Sequence, residues 1–173
     1  MIINWPDNFA RKGHEIFLSG LPIALHCHHY NINLQKTLES TLGDAGARLI
    51  YQAAEASSFD SITSFLGHHP KINTVKSKLE LAATSYQYCG LGILNFTRIG
   101  PEGGIIVSSH SHHVTGWLAK HGRRDTPGCH FARGWIAGAL EAIYKRPLGY
   151  YVVEETHCKM KRDDVCAFQV KER

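Results

Sequence analysis

Apolar positions recur at helical spacing through the first half of the chain. In "NINLQKTLESTLGD", Leu34, Leu38 and Leu42 fall four apart on one helical face, with Asn31 or Asn33 as the cap. "AGARLIYQAAEASSF" continues as helix, and "SITSFLGHHP" reads as a further short helix stopped by Gly67 and Pro70. "VKSKLELAATSYQYC" is a fourth helical segment. Upstream, "NFARKGHEIFLSG" reads as a short helix or an arm, and "LPIALHCHHY" as an extended stretch.

The pattern changes after residue 88. "YCGLGILNFTRIG" and "GGIIVSSHSHH" read as two strands joined by the turn "PEGG". "VTGWLAKHG" is a short helix. In "CHFARGWIAGALEAIYKR", Trp135, Ile136, Ala139, Leu140 and Ile143 line one side of a strong helix. Gly134, Gly138 and Ala142 recur every four residues, which would let a neighbouring backbone approach closely. "GYYVVEET" and "CAFQVKE" close the chain as a second hairpin. The order predicts a single α+β domain over 1–173, with an antiparallel sheet built from hairpins and covered by helices. Residues 1–88 form its mainly helical part, and 89–173 a hairpin-helix-hairpin part.

Composition narrows the function. The 173 residues carry 19 Lys and Arg against 15 Asp and Glu, a net charge of +4. "HGRRD" and "CKMKRDD" mix both signs, so no basic stripe points to nucleic acid. The longest greasy run, "IFLSGLPIAL", is broken by Gly20 and Pro22 and is too short to span a membrane. The expectation is a cytoplasmic protein. Its five cysteines then read as metal ligands or buried apolar groups rather than disulfides.

Three of those cysteines fall in the last third. Cys129 opens the strong helix, Cys158 follows one strand of the second hairpin, and Cys166 opens the other. The hairpin brings Cys158 and Cys166 together, and the helix can return Cys129 to the same end. Glu155, three residues before Cys158, adds a carboxylate. Three thiolates with one oxygen or nitrogen suit tetrahedral zinc. Ordinary buried thiols are the alternative that spacing alone leaves open.

The run Cys129, Gly134, Gly138, Arg146, Pro147, Glu154, Glu155, Cys158, Cys166, Phe168 and Val170 resembles the 4-vinyl reductase small-molecule-binding domain family. That family includes bacteriochlorophyll 4-vinyl-reductase-like proteins and the sensory domains of phenol-responsive transcription activators. The resemblance covers residues 104–171. It implies a pocket for an apolar or aromatic ligand, a structural zinc on Cys129, Cys158, Cys166 and Glu155, and pairing as a homodimer. The segment between "RP" and Cys158 is longer than in the phenol sensors, and "KMKRDDV" lacks their glycine. The fourth ligand therefore stays open between Glu155, His157 and His130.

Two runs repeat an H-x-H-H rhythm, His26, His28 and His29 in one and His110, His112 and His113 in the other. If both are extended, strand alternation presents His26, His28, His110 and His112 to one space and turns His29 and His113 away. Such a set would suit a second transition metal, non-haem iron, zinc or copper, with Tyr30, Asn31, Ser109 and Ser111 orienting the imidazoles. The plainer reading makes them pocket-lining. The pocket expected from sequence is then His28, His29, Tyr30, Phe96, His110, His112, Trp117 and Trp135. Cys27 and Cys89 read as buried thiols, with metal ligation or an activated thiolate open for Cys27.

Two functions compete. One is a stand-alone sensor or biosynthetic accessory domain that binds a small molecule and acts on a partner protein. The other is a small metalloenzyme using His26, His28, His110 and His112 as catalytic ligands. Vinyl reduction by the chain alone is not expected. "GLGILNF" lacks the phosphate-cradling glycine pattern, and reductive chemistry belongs to a cofactor.

Overall fold

A computed structural model describes residues 3–173. The architecture is α+β, as the patterning predicts. A four-stranded antiparallel sheet has the order β4-β5-β7-β6 and a smaller three-stranded sheet the order β1-β2-β3. In the larger sheet, β4 (Gly92–Gly100) and β5 (Gly103–Ser111) form one hairpin, and β6 (Tyr151–His157) and β7 (Cys166–Glu172) the other. β5 pairs with β7, so the two hairpins become one sheet.

The helices α1 (His28–Leu42), α2 (Asp44–His68), α3 (Val75–Tyr88), α4 (His112–His121) and α5 (His130–Tyr144) gather around this sheet. α5 lies between α2 and the sheet strand β6. It is apolar nearly all round, as a helix covered on both sides must be. Its predicted stripe Trp135, Ile136, Ala139, Leu140 and Ile143 is buried in one core with Ile62, Leu81, Ile106, Val153 and Phe168.

The small residues on α5 set the distance to α2. A Cβ on Gly134 would fall 2.0 Å from the Tyr51 carbonyl oxygen, and one on Gly138 1.9 Å from that of Glu55. The two backbones are in direct contact, which only glycine allows.

Several elements differ from the expectation. The segment read as a helix or arm is the hairpin β1 (Phe9–Lys12) and β2 (Glu15–Leu18), and a second tight turn leads to β3 (Leu21–Ile23), the start of the stretch read as extended. Gly13 has positive φ in the first turn, and Ser19 and Gly20 (φ 46° and 79°) both do in the second, the signature of a two-residue hairpin turn. α2 is one helix of 25 residues rather than two. Ser58 and Ser61 donate back to the carbonyls of Glu55 and Ser57, so these serines continue the helix instead of interrupting it.

α1 begins at His28, with Cys27 rather than Asn31 or Asn33 at its cap. The second histidine run is also interrupted. Ser111 ends β5 and accepts from the Val114 amide, so α4 starts at His112. Among the described residues, no helix is long and apolar enough to cross a membrane.

Candidate functional site

The C-terminal hairpin and α5 converge on a buried cluster. Cys129 holds the N-cap position of α5, Cys158 lies just past β6, and Cys166 opens β7; all three are at most 1% exposed. Strand alternation places Glu155 on the face of the buried Tyr151 and Val153, turned toward α5. A bulge after Glu155 then sends the chain outward, leaving His157 exposed.

One ligand atom from each of Cys129, Glu155, Cys158 and Cys166 lies within 4.8 Å of all the others. Among the described residues this is the one group of three or more such side chains so arranged. The Cys129 and Cys166 sulfurs are 3.7 Å apart. Two thiolates 2.3 Å from a tetrahedral ion would be separated by about 3.8 Å.

Backbone groups hold the cluster in place. The Cys129 amide donates to Glu155 Oε2 (2.9 Å), and the Lys159 amide approaches the Cys166 sulfur at 3.4 Å. Asp163 accepts from the Cys158 amide at 2.7 Å and closes the turn. Arg162, at φ 96°, takes the left-handed position for which a glycine is the usual choice. Glu155 Oε1 is enclosed and has no protein partner.

The four groups cannot share their protons comfortably. Burial, and then the neighbouring Cys158 sulfur, push Glu155 up to about 8. Hydrogen bonds from Cys129 and Cys166 draw Cys158 well below the usual thiol range. Cys129 is driven far upward, first by its hydrogen bonds to Cys158 and Cys166 and then by burial. A cation at the centre would remove this competition, since coordination favours deprotonated sulfur. Three sulfurs and an unpartnered carboxylate oxygen fit a metal ion in donor type and spacing. Of the alternative fourth ligands, His130 Nε2 engages Glu39 Oε1 at 3.0 Å and His157 lies outside the cluster.

The histidines are arranged differently from the extended-strand expectation. His28 and His29 start α1 and His112 starts α4, so strand alternation does not govern them. His28 and His112 have ring centroids 6.2 Å apart, and His112 Nε2 lies 3.1 Å from Asn31 Nδ2. His26 stacks on Tyr30, and His110 Nδ1 engages Ser109. His26, His28, His110 and His112 do not converge as a ligand set. Cys27 and Cys89 are exposed as residues rather than buried.

The expected pocket residues are likewise dispersed. Trp135 lines an inner cavity of 150 Å³ with Ile62, Phe65, Tyr86 and Phe131. Phe96 lines a groove between α3 and β4. Trp117 is buried beneath the Arg124 guanidinium, 4.6 Å from its ring centroid, and Tyr30 is exposed. A larger, half-open cavity of 510 Å³ lies along the α1–α2 hairpin, walled by Leu38, Ile50, His113 and Phe131, with the exposed Leu34 and Ala53 at its mouth. Ser57 and Phe131 border both cavities.

His113 is 5% exposed and stacks on Phe131 at 4.8 Å, and neither ring nitrogen has a protein partner. Burial pushes it down to about 3, so the imidazole is neutral. The extended reading turned His113 away from the site. Its signal was helical: His113, Val114 and Trp117 form the buried stripe of α4 once Ser111 is taken as the cap.

The site therefore defines a class: an α+β domain with an apolar cavity under a helical hairpin and a metal-suited cluster tying its C-terminal hairpin to a central helix. The phenol-responsive sensory domain of the transcription activator PoxR, solved with phenol, has the same fold. It matches with a TM-score of 0.81 over 99% of this chain and 88% of that one, at 15% identity. A vinyl-4-reductase family protein from Methanocaldococcus jannaschii matches with a TM-score of 0.50 at 21% identity, over 72% of this chain and 68% of that one. A trafficking protein particle complex subunit 3 from Naegleria fowleri, covalently bound to palmitic acid, gives 0.51 at 15% identity, over 84% and 94%. In sequence, 47 residues are 45% identical to an uncharacterized protein of Methanocaldococcus jannaschii, 27% of this chain and 24% of that protein. No family model matches the chain. The fold is the one that the sequence resemblance implied.

Proposed function

We propose that this domain binds a small aromatic ligand, phenol-like in chemistry, in the cavities beneath α1 and α2. A zinc ion on Cys129, Glu155, Cys158 and Cys166 braces it. The observation that carries the reading is His113. An imidazole with two unpartnered nitrogens on an apolar cavity wall is costly to bury unless something pairs with it. A neutral imidazole offers one donor and one acceptor, which suits a single hydroxyl on an otherwise apolar ring. The fold shared with a phenol-sensing domain supports the same ligand class.

Zinc follows from the donors, since three thiolates and one carboxylate oxygen within 4.8 Å of one another favour it over harder cations. The domain would act as a stand-alone sensor or accessory protein, passing ligand occupancy to a partner protein or a second copy of itself. The histidine runs supply no converging ligand set, so catalysis has no comparable support.

Calorimetric titration with phenol and with toluene tests the reading. Phenol should bind saturably and more tightly than toluene. His113→Ala should weaken phenol about tenfold, the cost of one buried hydrogen bond, while leaving toluene nearly unchanged. Absence of saturable phenol binding to folded protein would contradict it.

A further inference from the structure

A second cleft, of 620 Å³, lies on the other side of α2, away from the aromatic cavity. Its walls come from the first half of α2, the start of α5, β6 and the end of the chain. Arg48, Tyr51, Glu55, His130, Arg133 and Arg173 give it its chemistry. Three arginines line it against two carboxyls, Asp44 and Glu55, so the cleft is basic.

Its polar groups are held ready. Arg133 Nε donates to the Val153 carbonyl at 2.7 Å, and its guanidinium lies over the Tyr51 ring, 5.4 Å from the centroid. That fixes the fork and leaves its terminal nitrogens to be used. Among the described residues, Arg48 and Arg173 form no ion pair.

A buried atom on the cleft wall also has no protein partner, His130 Nδ1, on a residue 8% exposed. His130 Nε2 carries a ring hydrogen that it donates to the Glu39 carboxylate at 3.0 Å. Its Nδ1 is left to pair with a hydroxyl, which can donate or accept. Polar atoms this buried are nearly always paired in native proteins.

We propose that this cleft binds a small hydroxylated oxyanion, a phosphate monoester or a carboxylate. Arg133, flanked by Arg48 and Arg173, holds the anion, and a hydroxyl of the ligand pairs with His130 Nδ1. Guanidinium forks pair bidentately with both kinds of oxyanion. The unpartnered nitrogen makes the hydroxyl part of the recognition, because an analogue lacking it leaves that nitrogen unpaired.

The test is calorimetry on the metal-replete full chain at fixed ionic strength, with glycerol 3-phosphate, glycerate and ethyl phosphate as probes. The expected result is saturable binding of one equivalent of glycerol 3-phosphate or glycerate. Whichever of the two binds more tightly identifies the oxyanion. Ethyl phosphate should bind more weakly than glycerol 3-phosphate. The double variant Arg48→Gln/Arg173→Gln changes two exposed side chains and should keep its fold and its phenol binding. It should lose about tenfold in affinity for the oxyanion. Three results would overturn the proposal: no saturable binding of either hydroxylated probe, equal binding of ethyl phosphate, or unchanged affinity in a double variant that remains folded.

Discussion

The cysteine cluster and the histidine-bearing edge are both rich in ligating side chains, yet the fold treats them in opposite ways. Cys129, Glu155, Cys158 and Cys166 come from a helix start and two strands, and their ligand atoms turn inward to one point. His28, His29 and His112 sit in the first turns of α1 and α4, and His26 and His110 are exposed. Their rings stack on neighbours or engage adjacent side chains. Density of ligating residues along the chain therefore does not make a site. Convergence does, and it requires separate elements to be locked together, as α5 is locked to α2 and the sheet.

Changes at the buried side should be severe and changes at the edge mild. Cys166→Ser removes one sulfur from a site with no nearby replacement. It should release the metal and cost on the order of 4 kcal/mol of stability, read as a large fall in Tm together with loss of bound metal. Gly138→Ala attacks the seam that positions α5. Its Cβ would collide with the Glu55 carbonyl, and the expected loss is about 1–3 kcal/mol in chemical denaturation.

The same seam should respond to pH. Burial and the adjacent Glu141 carboxyl push Glu55 up to about 7, with Arg173 opposing them and Tyr51 nearby. The folded chain therefore holds a proton that the unfolded chain releases above pH about 4.5. The stability contributed by this group is greatest below that value and falls as pH rises to about 7. Glu55→Gln should flatten that part of the stability profile. At the other extreme, His28→Ala and His112→Ala should each change stability by no more than about 0.5 kcal/mol and leave metal content unaltered. A lost metal equivalent in either would erase the contrast between the two regions.

The same contrast explains what could be read from the chain. The stripe on α5, the Gly134 and Gly138 approach and both large hairpins follow from periodicity, because each buried face imposes its own repeat. Glu155 was also legible, since it keeps the inward parity of Tyr151 and Val153. The expectations failed where a single polar side chain decided the local structure. Ser111 caps α4 and ends the strand that the histidines were expected to extend, while Ser58 and Ser61 bond back along α2. In β1–β3, one buried position, Leu18, is too little pattern to mark three short strands. The aromatic cavity was the least legible feature. Its walls come from α1, α2, α4 and α5, and no single segment carries their pattern.

The central claim is that the three thiols and the glutamate hold one ion. Elemental analysis of protein purified without a polyhistidine tag or chelating column tests it directly. The account predicts one zinc per chain, retained through dialysis and absent from Cys166→Ser. Metal-free protein with the same Tm as the metal-loaded form would contradict it.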